Sequence, residues 1–467
     1  MTKEDTSWLD AGQAHAALQN AEPDRQRVEE ILLKARKLKG LTLPEVAVLS
    51  NISAPEQMQA LFDTARFVKE AIYGRRMVMF APLYISNICG NECTYCAFRA
   101  SNKGLPRHAL DKEQIRRETE LLIAQGHKRL LLVAGEGYPA SRGGFQYVLD
   151  SIAAVYEVTA GKGNIRRVNV NVAPLDPEQF KALKDAGIGT YQLFQETYDR
   201  EAYARVHLAG HKKDFDWRLT GLDRAMEAGI GDVGMGVLFG LADWRFELIS
   251  LMQHIAHLEA RFGVGCHTIS VPRIEPADGA PLSEQPPMAV SDEDFKKIVA
   301  ILRVAVPYTG LIMSTRESPA MRRETYALGV SQISAGSRTD PGGYAAAEQN
   351  GGSAGQFQLG DHRSLEEVVS ELATLDYIPS FCTACYRLGR TGQDFMDIAK
   401  PGLIRLKCDP NAVTTFQEYL IDFAKPKTRV QGEQAIATRV EGMEPKAKRA
   451  SERMLARICA GKRDVFC

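Results

Sequence analysis

Six of the nine cysteines fall in two tight groups, and thiols grouped this way serve metal or redox chemistry rather than a disulfide framework. Cys89, Cys93 and Cys96 have the spacing C-x3-C-x2-C. Three thiolates in one loop can ligate three irons of a [4Fe–4S] cube and leave the last iron open to a substrate. The competing reading is a structural Cys3His zinc site with His108 as the remaining ligand, although such sites normally pair ligands from two separate knuckles. Cys382, Cys385 and Cys408, spaced C-x2-C-x22-C, again offer three thiolates. That number is unusual for zinc and suits a second cluster with one non-cysteine position. Cys266, Cys459 and Cys467 stand alone, and for the last two a small buried residue or an idle thiol is the simpler reading.

These groups act only if the chain holds them in place. Strand-like runs are expected at 77–86, 129–133, 167–172, 190–194, 232–238, 267–271, 310–314 and 330–334. Helical patterns at 112–124, 177–186, 215–228, 246–262 and 292–304 lie between them, most closed by Gly or Pro. Eight strands alternating with helices predict an α/β fold, a (β/α)8 TIM-type barrel rather than an open doubly wound sheet. The unusual residues obey the barrel rule that chemistry sits in loops after the strands. The cysteine loop Cys89 to Cys96, Gly135-Glu136-Gly137, Gln195-Glu196-Thr197, Pro272-Arg273, Thr315-Arg316-Glu317 and Ala335-Gly336-Ser337-Arg338 all fall there. The expected organisation is a helical N-terminal segment over 1–72, the barrel over 73–340 and a C-terminal auxiliary iron–sulfur domain over 341–467. The stretch 341–360, rich in Gly, Ser, Gln and Asn, reads as an irregular loop.

Composition narrows the class. A chain of 467 residues with 45% apolar content buries a large core, and 58 basic against 58 acidic residues give no reason to expect a nucleic-acid partner. The first ten residues are polar and acidic with no signal-peptide core, and no stretch reaches the roughly 18 apolar residues of a spanning helix. The expectation is a cytoplasmic protein with no membrane association.

The C-x3-C-x2-C loop after the first strand resembles the radical S-adenosylmethionine (SAM) superfamily. The resemblance implies that the open iron chelates the methionine amino and carboxylate groups, and that an electron from the cluster yields a 5′-deoxyadenosyl radical. Tyr95 and Phe98 would pack near the adenine, though on their own they read equally as loop packing. Glu136, in a glycine-rich acidic turn, would receive the methionine amino group, and Glu196 the ribose hydroxyls. Arg218 lies ahead of Ala228-Gly229-Ile230 at a spacing similar to that in biotin synthase, where an arginine contacts the methionine carboxylate. Without the resemblance, a solvated helical arginine is as good a reading.

With the second cysteine group added, the chain from about residue 40 onward resembles the HydG family, the tyrosine lyases of [FeFe]-hydrogenase maturation. The segments that carry the resemblance include Gln195-Glu-Thr-Tyr198, His267-Thr-Ile-Ser-Val-Pro-Arg273, Ser314-Thr-Arg-Glu317, Ser334-Ala-Gly-Ser-Arg338 and Pro379-Ser-Phe-Cys-Thr-Ala-Cys-Tyr386. The resemblance implies cleavage of L-tyrosine to p-cresol and dehydroglycine. The latter would be converted on an auxiliary [4Fe–4S] cluster to carbon monoxide and cyanide, which bind a labile fifth iron and form an Fe(CO)2(CN) precursor of the hydrogenase H-cluster. It also implies an electron donor such as ferredoxin or flavodoxin, and hydrogenase-maturation partners.

His267 is similar to the family's ligand of that labile iron, whereas position alone reads equally as a hydrogen-bonded core histidine. Its neighbour Cys266 stands where the family has proline, and an extra thiol there could act as an off-pathway ligand. For the substrate carboxylate the first candidate is Arg316, by similarity to related aromatic-amino-acid lyases, with Ser334 on the next strand as helper. Ser270, Arg273 and Arg338 rank second. Two other readings stand beside this one: a 2-iminoacetate synthase-type tyrosine lyase of thiamine synthesis, and a non-catalytic iron–sulfur carrier or scaffold.

Overall fold

Short runs of Val, Leu, Ile and Met, buried on both faces, become the staves of a closed parallel barrel. In the computed structural model, which describes residues 5–349, 355–400 and 402–467, the staves are β1 (Arg76–Ser86), β2 (Arg129–Ala134), β3 (Arg167–Asn171), β4 (Tyr191–Glu196), β5 (Val233–Val237), β6 (Thr268–Ser270), β7 (Gly310–Met313) and β8 (Val330–Ser334). Every neighbouring pair is parallel, and β8 returns to β1 through Val78↔Gln332, Met79↔Ile333 and Phe80↔Ser334. All residues of β5, β7 and β8 are buried, as expected of strands covered by helices outside and side chains inside. The crossover helices start on matched caps. Asp111 and Asp176, for example, each form a capping box with the glutamine three residues on.

A ninth strand, β9 (Ile378–Ser380), has no counterpart among the expected elements. It pairs with the start of β1, Arg76↔Ile378 to Val78↔Ser380, alongside the half of β1 that β2 leaves free. Three residues with Pro379 at the centre do not read as a strand in sequence. Here β9 is an edge strand, and it carries Cys382 to the N-terminal end of the barrel.

Two other expectations change. The helix expected over 215–228 is broken into Phe215–Leu219 and Gly221–Glu227. At the break the Thr220 hydroxyl donates to the Asp216 carbonyl, and Arg224 Nη2 donates to the Trp217 carbonyl. A side chain on Gly221 would come within 2.6 Å of Leu193, so close packing against β4 also favours the break. In the stretch expected to be irregular, Gly343–Glu348 forms a helix, its first turn held by Glu118, which accepts from the amides of Tyr344 at 3.1 Å and Ala345 at 2.7 Å. Residues 350–354 of that stretch lie outside the described residues, as do 1–4 of the N-terminal segment.

Four helices, from Ala11–Gln19 to Pro55–Tyr73, precede the barrel. Buried Lys297 ties this lead-in to the helix Asp292–Ala305 by donating to the carbonyls of Ser50 and Ile52. The helices Arg405–Asp422, Pro426–Glu441 and Pro445–Cys459 follow β9. The first of these packs through Tyr419, which stacks on Phe381 with ring centroids 4.8 Å apart. Among the described residues no helix is long and apolar enough to cross a membrane.

Candidate functional site

Cys89, Cys93 and Cys96 line one cavity of about 140 Å3 at the C-terminal ends of the strands. Their loop lies against the turn after β2 backbone to backbone. Gly90 N donates to Glu136 O at 2.9 Å, and a Cβ on Gly135 would stand 2.5 Å from the Ile88 carbonyl oxygen, so that position requires glycine. Tyr95 is fixed by a 2.8 Å hydrogen bond between its hydroxyl and His207 Nε2. Phe98 is buried edge-on to Tyr84. Burial pushes the Cys93 thiol up to about 12 against the opposing pull of Lys212, and raises Cys96 too, so taking up metal there releases protons. His108 is exposed and is not among the residues lining the cavity. Among the described residues no three His, Cys, Asp or Glu side chains converge on a single ion. Three thiols around one cavity, with polar and aromatic groups beside them, fit a polynuclear cluster with an open corner.

The charged groups of this cavity are mostly paired. Glu196, held at φ 72° at the end of β4, takes Lys212 Nζ at 2.6 Å and Arg218 Nη2 at 3.5 Å. Burial alone would raise its carboxyl, but Lys212 and Arg218 hold it below the ordinary carboxylate range. Arg218 is buried, donates through Nε to the Phe194 carbonyl at 2.7 Å and lines the cavity, so it is not a solvated helical arginine. Glu136 accepts from Asn91 Nδ2 at 2.5 Å. Lys212 was missed in sequence because His211-Lys212-Lys213 reads as an ordinary exposed charge run.

A second cavity, of about 100 Å3, lies deeper in the barrel and shares Asn171, Phe194, Pro272, Arg316, Gln356 and Phe357 with the first. It brings Arg316, Ser270 and Ser334 together. The Arg316 guanidinium sits 3.3 Å over the Phe357 ring and has no carboxylate at ion-pair distance among the described residues, which leaves it available to an anion. Ser334 Oγ accepts from Thr315 N at 3.2 Å. Arg273, expected as a second-rank substrate ligand, is instead committed to a fork on Glu317 at 2.9 and 2.5 Å and to Asp292 at 2.8 Å. Arg338 lines neither cavity and donates to the Ser337 carbonyl. Gln356 bridges the two cavities, accepting from the Tyr84 hydroxyl at 2.8 Å and reaching Cys96 Sγ at 3.6 Å. Nothing in the loop-like sequence around it signals that role.

At the opposite end of the barrel a third cavity, about 70 Å3, is lined by Cys382, Cys385, Cys408 and His267. Cys385 and Cys408 sit side by side, and the pairing lowers the Cys408 thiol, with Arg76 helping and burial opposing, and raises Cys385. Burial lowers the His267 pKa although Asp232, 3.5 Å from Nδ1, works the other way, so the imidazole is held in its neutral, metal-ligating form. The fit to a metal centre is good: three thiols, a neutral histidine whose buried Nδ1 has no hydrogen-bond partner among the described residues, and two arginines, Arg76 and Arg129. Cys266 does not enter this cavity. It is buried in the apolar core, with its carbonyl taken by the Thr309 hydroxyl. Arg76 and Arg129 were also missed in sequence, since a charged residue opening a barrel strand reads as solvated.

Family models place residues 83–250 in the radical SAM superfamily and residues 270–378 in the biotin and thiamin synthesis associated domain. The 2-iminoacetate synthase of Escherichia coli K12 is 32% identical over 354 residues, 76% of this chain and 90% of that one. The crystal structure of HydG, a maturase of the [FeFe]-hydrogenase, is 46% identical and covers 99% of this chain and 100% of its own, with a TM-score of 0.95. The HydG structure from Carboxydothermus hydrogenoformans is 41% identical, covering 95% and 97%, with a TM-score of 0.80. With likeness of this extent across both thiol centres, the chain belongs to the HydG family of radical SAM enzymes.

Proposed function

We propose that the protein cleaves L-tyrosine to p-cresol and dehydroglycine, and that dehydroglycine is then broken into carbon monoxide and cyanide to supply an iron-bound precursor of the [FeFe]-hydrogenase active site. The observation that carries this reading is the stacking of three cavities along one barrel, with a three-thiol set at either end and, between them, Arg316, which has no carboxylate partner among the described residues. A single-step tyrosine lyase needs only the upper set, and a carrier needs no cavity between the two.

When bound, the upper cluster supplies a 5′-deoxyadenosyl radical from SAM, and the lower cluster, with a labile fifth iron, supplies the Lewis-acid site for breaking the fragment. Cys89, Cys93 and Cys96 hold the upper cluster. Glu136 takes the methionine ammonium, Arg218 the methionine carboxylate and Glu196 the ribose hydroxyls, with Tyr95 and Phe98 beside the adenine. Arg316 anchors the tyrosine carboxylate, helped by the hydroxyls of Ser334 and Ser270. The walls of β1 and β8 would exclude water from the substrate and hold it in one orientation. Cys382, Cys385 and Cys408 hold the lower cluster, and His267 offers its imidazole to the labile iron. Dehydroglycine contains the atoms of carbon monoxide, hydrogen cyanide and water, so its breakdown needs no further redox partner. A ferredoxin or flavodoxin supplies two electrons per turnover, one to cleave SAM and one that, with a proton, replaces the hydrogen lost to 5′-deoxyadenosine and completes p-cresol, and the setting is the cytoplasm, with other hydrogenase-maturation proteins receiving the product.

The test is anaerobic turnover of reconstituted protein with SAM, tyrosine and a reductant, assayed for 5′-deoxyadenosine, p-cresol, cyanide and carbon monoxide, beside a Cys382→Ala/Cys385→Ala variant. The expected result is all four products from the wild type, with p-cresol retained and carbon monoxide lost in the variant. If the wild type makes p-cresol without carbon monoxide, the thiamine-type lyase is the better description. No 5′-deoxyadenosine from cluster-loaded protein would favour a carrier.

A further inference from the structure

We propose that Arg76 and Arg129 form an anion site over the lower thiol centre that holds the carboxylate of dehydroglycine while its carbon–carbon bond is broken. The inference rests on the reading of that centre given above. Arg76 is 8% and Arg129 7% exposed, both line the third cavity, and the Nε of each is buried with no hydrogen-bond partner among the described residues. Leaving a buried guanidinium N–H unpaired is costly, and at a cavity wall an anionic ligand can complete it.

Neither arginine has a carboxylate partner among the described ion pairs. The acidic side chains nearby are committed elsewhere. Asp232 accepts from Gly392 N at 2.9 Å and faces His267, and Asp409 is held by Arg405 at 3.3 Å and Arg439 at 2.8 Å. Arg129 is oriented by donating Nη2 to the Cys382 carbonyl at 2.7 Å, and Arg76 lies beside Cys408. The two guanidiniums therefore flank the thiol set.

Gln332 also lines this cavity, and Gly310 leaves room for its amide, since a Cβ there would stand 2.7 Å from Nε2. Planar guanidinium forks and an amide match a carboxylate in shape and charge. Carbon monoxide is neutral and needs no such site, whereas dehydroglycine carries a carboxylate until its carbon–carbon bond breaks. Along β1, Arg76 and Val78 face the lower cavity while Phe80, Pro82 and Tyr84 face the middle one. The site therefore lies directly below the place where the fragment is released.

The test compares cluster-loaded wild type with Arg129→Gln, Arg129→Lys and Arg76→Gln variants. Iron content, p-cresol, carbon monoxide and glyoxylate are measured, the last formed with ammonia when released dehydroglycine takes up water. Binding of radiolabelled glyoxylate is read separately by equilibrium dialysis. The Gln variants are expected to retain iron and p-cresol, lose carbon monoxide and glyoxylate affinity about ten-fold, and release glyoxylate in compensation, with Lys restoring part of both. Unchanged carbon monoxide per p-cresol and unchanged glyoxylate binding would overturn the proposal. So would loss of lower-cluster iron in the Gln variants without a change in glyoxylate binding, since the arginines would then only balance cluster charge. A wild type that makes no carbon monoxide contradicts the proposed function, but the dialysis still decides whether the anion site exists.

Discussion

Glu196 combines a buried carboxylate, a left-handed backbone and two cationic partners, and the loop that carries it is anchored from behind by Glu247. Glu247 is fully buried, accepts from the Thr197 hydroxyl and takes the Tyr198 amide at 2.9 Å. With no cation paired to it among the described residues, burial pushes its carboxyl to about 8. Between its ordinary value of 4.5 and about 8 the native state binds more protons than the unfolded state. The stability this group contributes is therefore complete below about pH 4.5 and is lost as pH rises through 8. Glu247→Gln, which keeps the acceptor without the charge, is expected to flatten the fall in Tm between about pH 5 and about pH 9 and to change little at the acid end. An unchanged slope in pH-dependent thermal melts would show that Glu247 is not protonated in the native state. Pairings of this kind are not legible in sequence. Glu196 could be singled out by its place after a strand, but Lys212 and Glu247 have no local pattern that marks them.

The staves were legible because a strand buried on both faces is a continuous apolar run, a property of a few adjacent residues. The broken helix at Thr220 and the three-residue β9 were not, because each depends on what packs against it. The same holds for the turn after β2, where Gly135 lets two loops touch backbone to backbone. A Cβ in that position meets a carbonyl that has no rotamer to escape into, so the loops must separate. Gly135→Ala is expected to lower SAM affinity about ten-fold, and the iron held by the first cysteine set with it, while the far-ultraviolet circular dichroism stays unchanged. Normal SAM binding by reconstituted Gly135→Ala would show that the contact does not shape the site.

Across the whole molecule, β9 pairs with Arg76–Val78, Arg129 holds the Cys382 carbonyl, and one continuous apolar core includes Ala14, the barrel and Val440. The C-terminal helices and the barrel thus share hydrogen bonds and buried surface, and metal-free protein is expected to unfold in a single calorimetric transition. A separate, lower transition assigned to the chain after residue 360 would show that the lower thiol centre folds on its own. The linear chain alone determined the two cysteine spacings, the number of staves and the end of the barrel where the first set sits, because spacing and periodicity are local. Only the tertiary structure decided that His267 joins Cys382, Cys385 and Cys408, that Cys266 does not, and that Arg76 and Arg129 are buried beside them. Those meetings link positions hundreds of residues apart and exist only once the barrel closes and β9 adds to its edge.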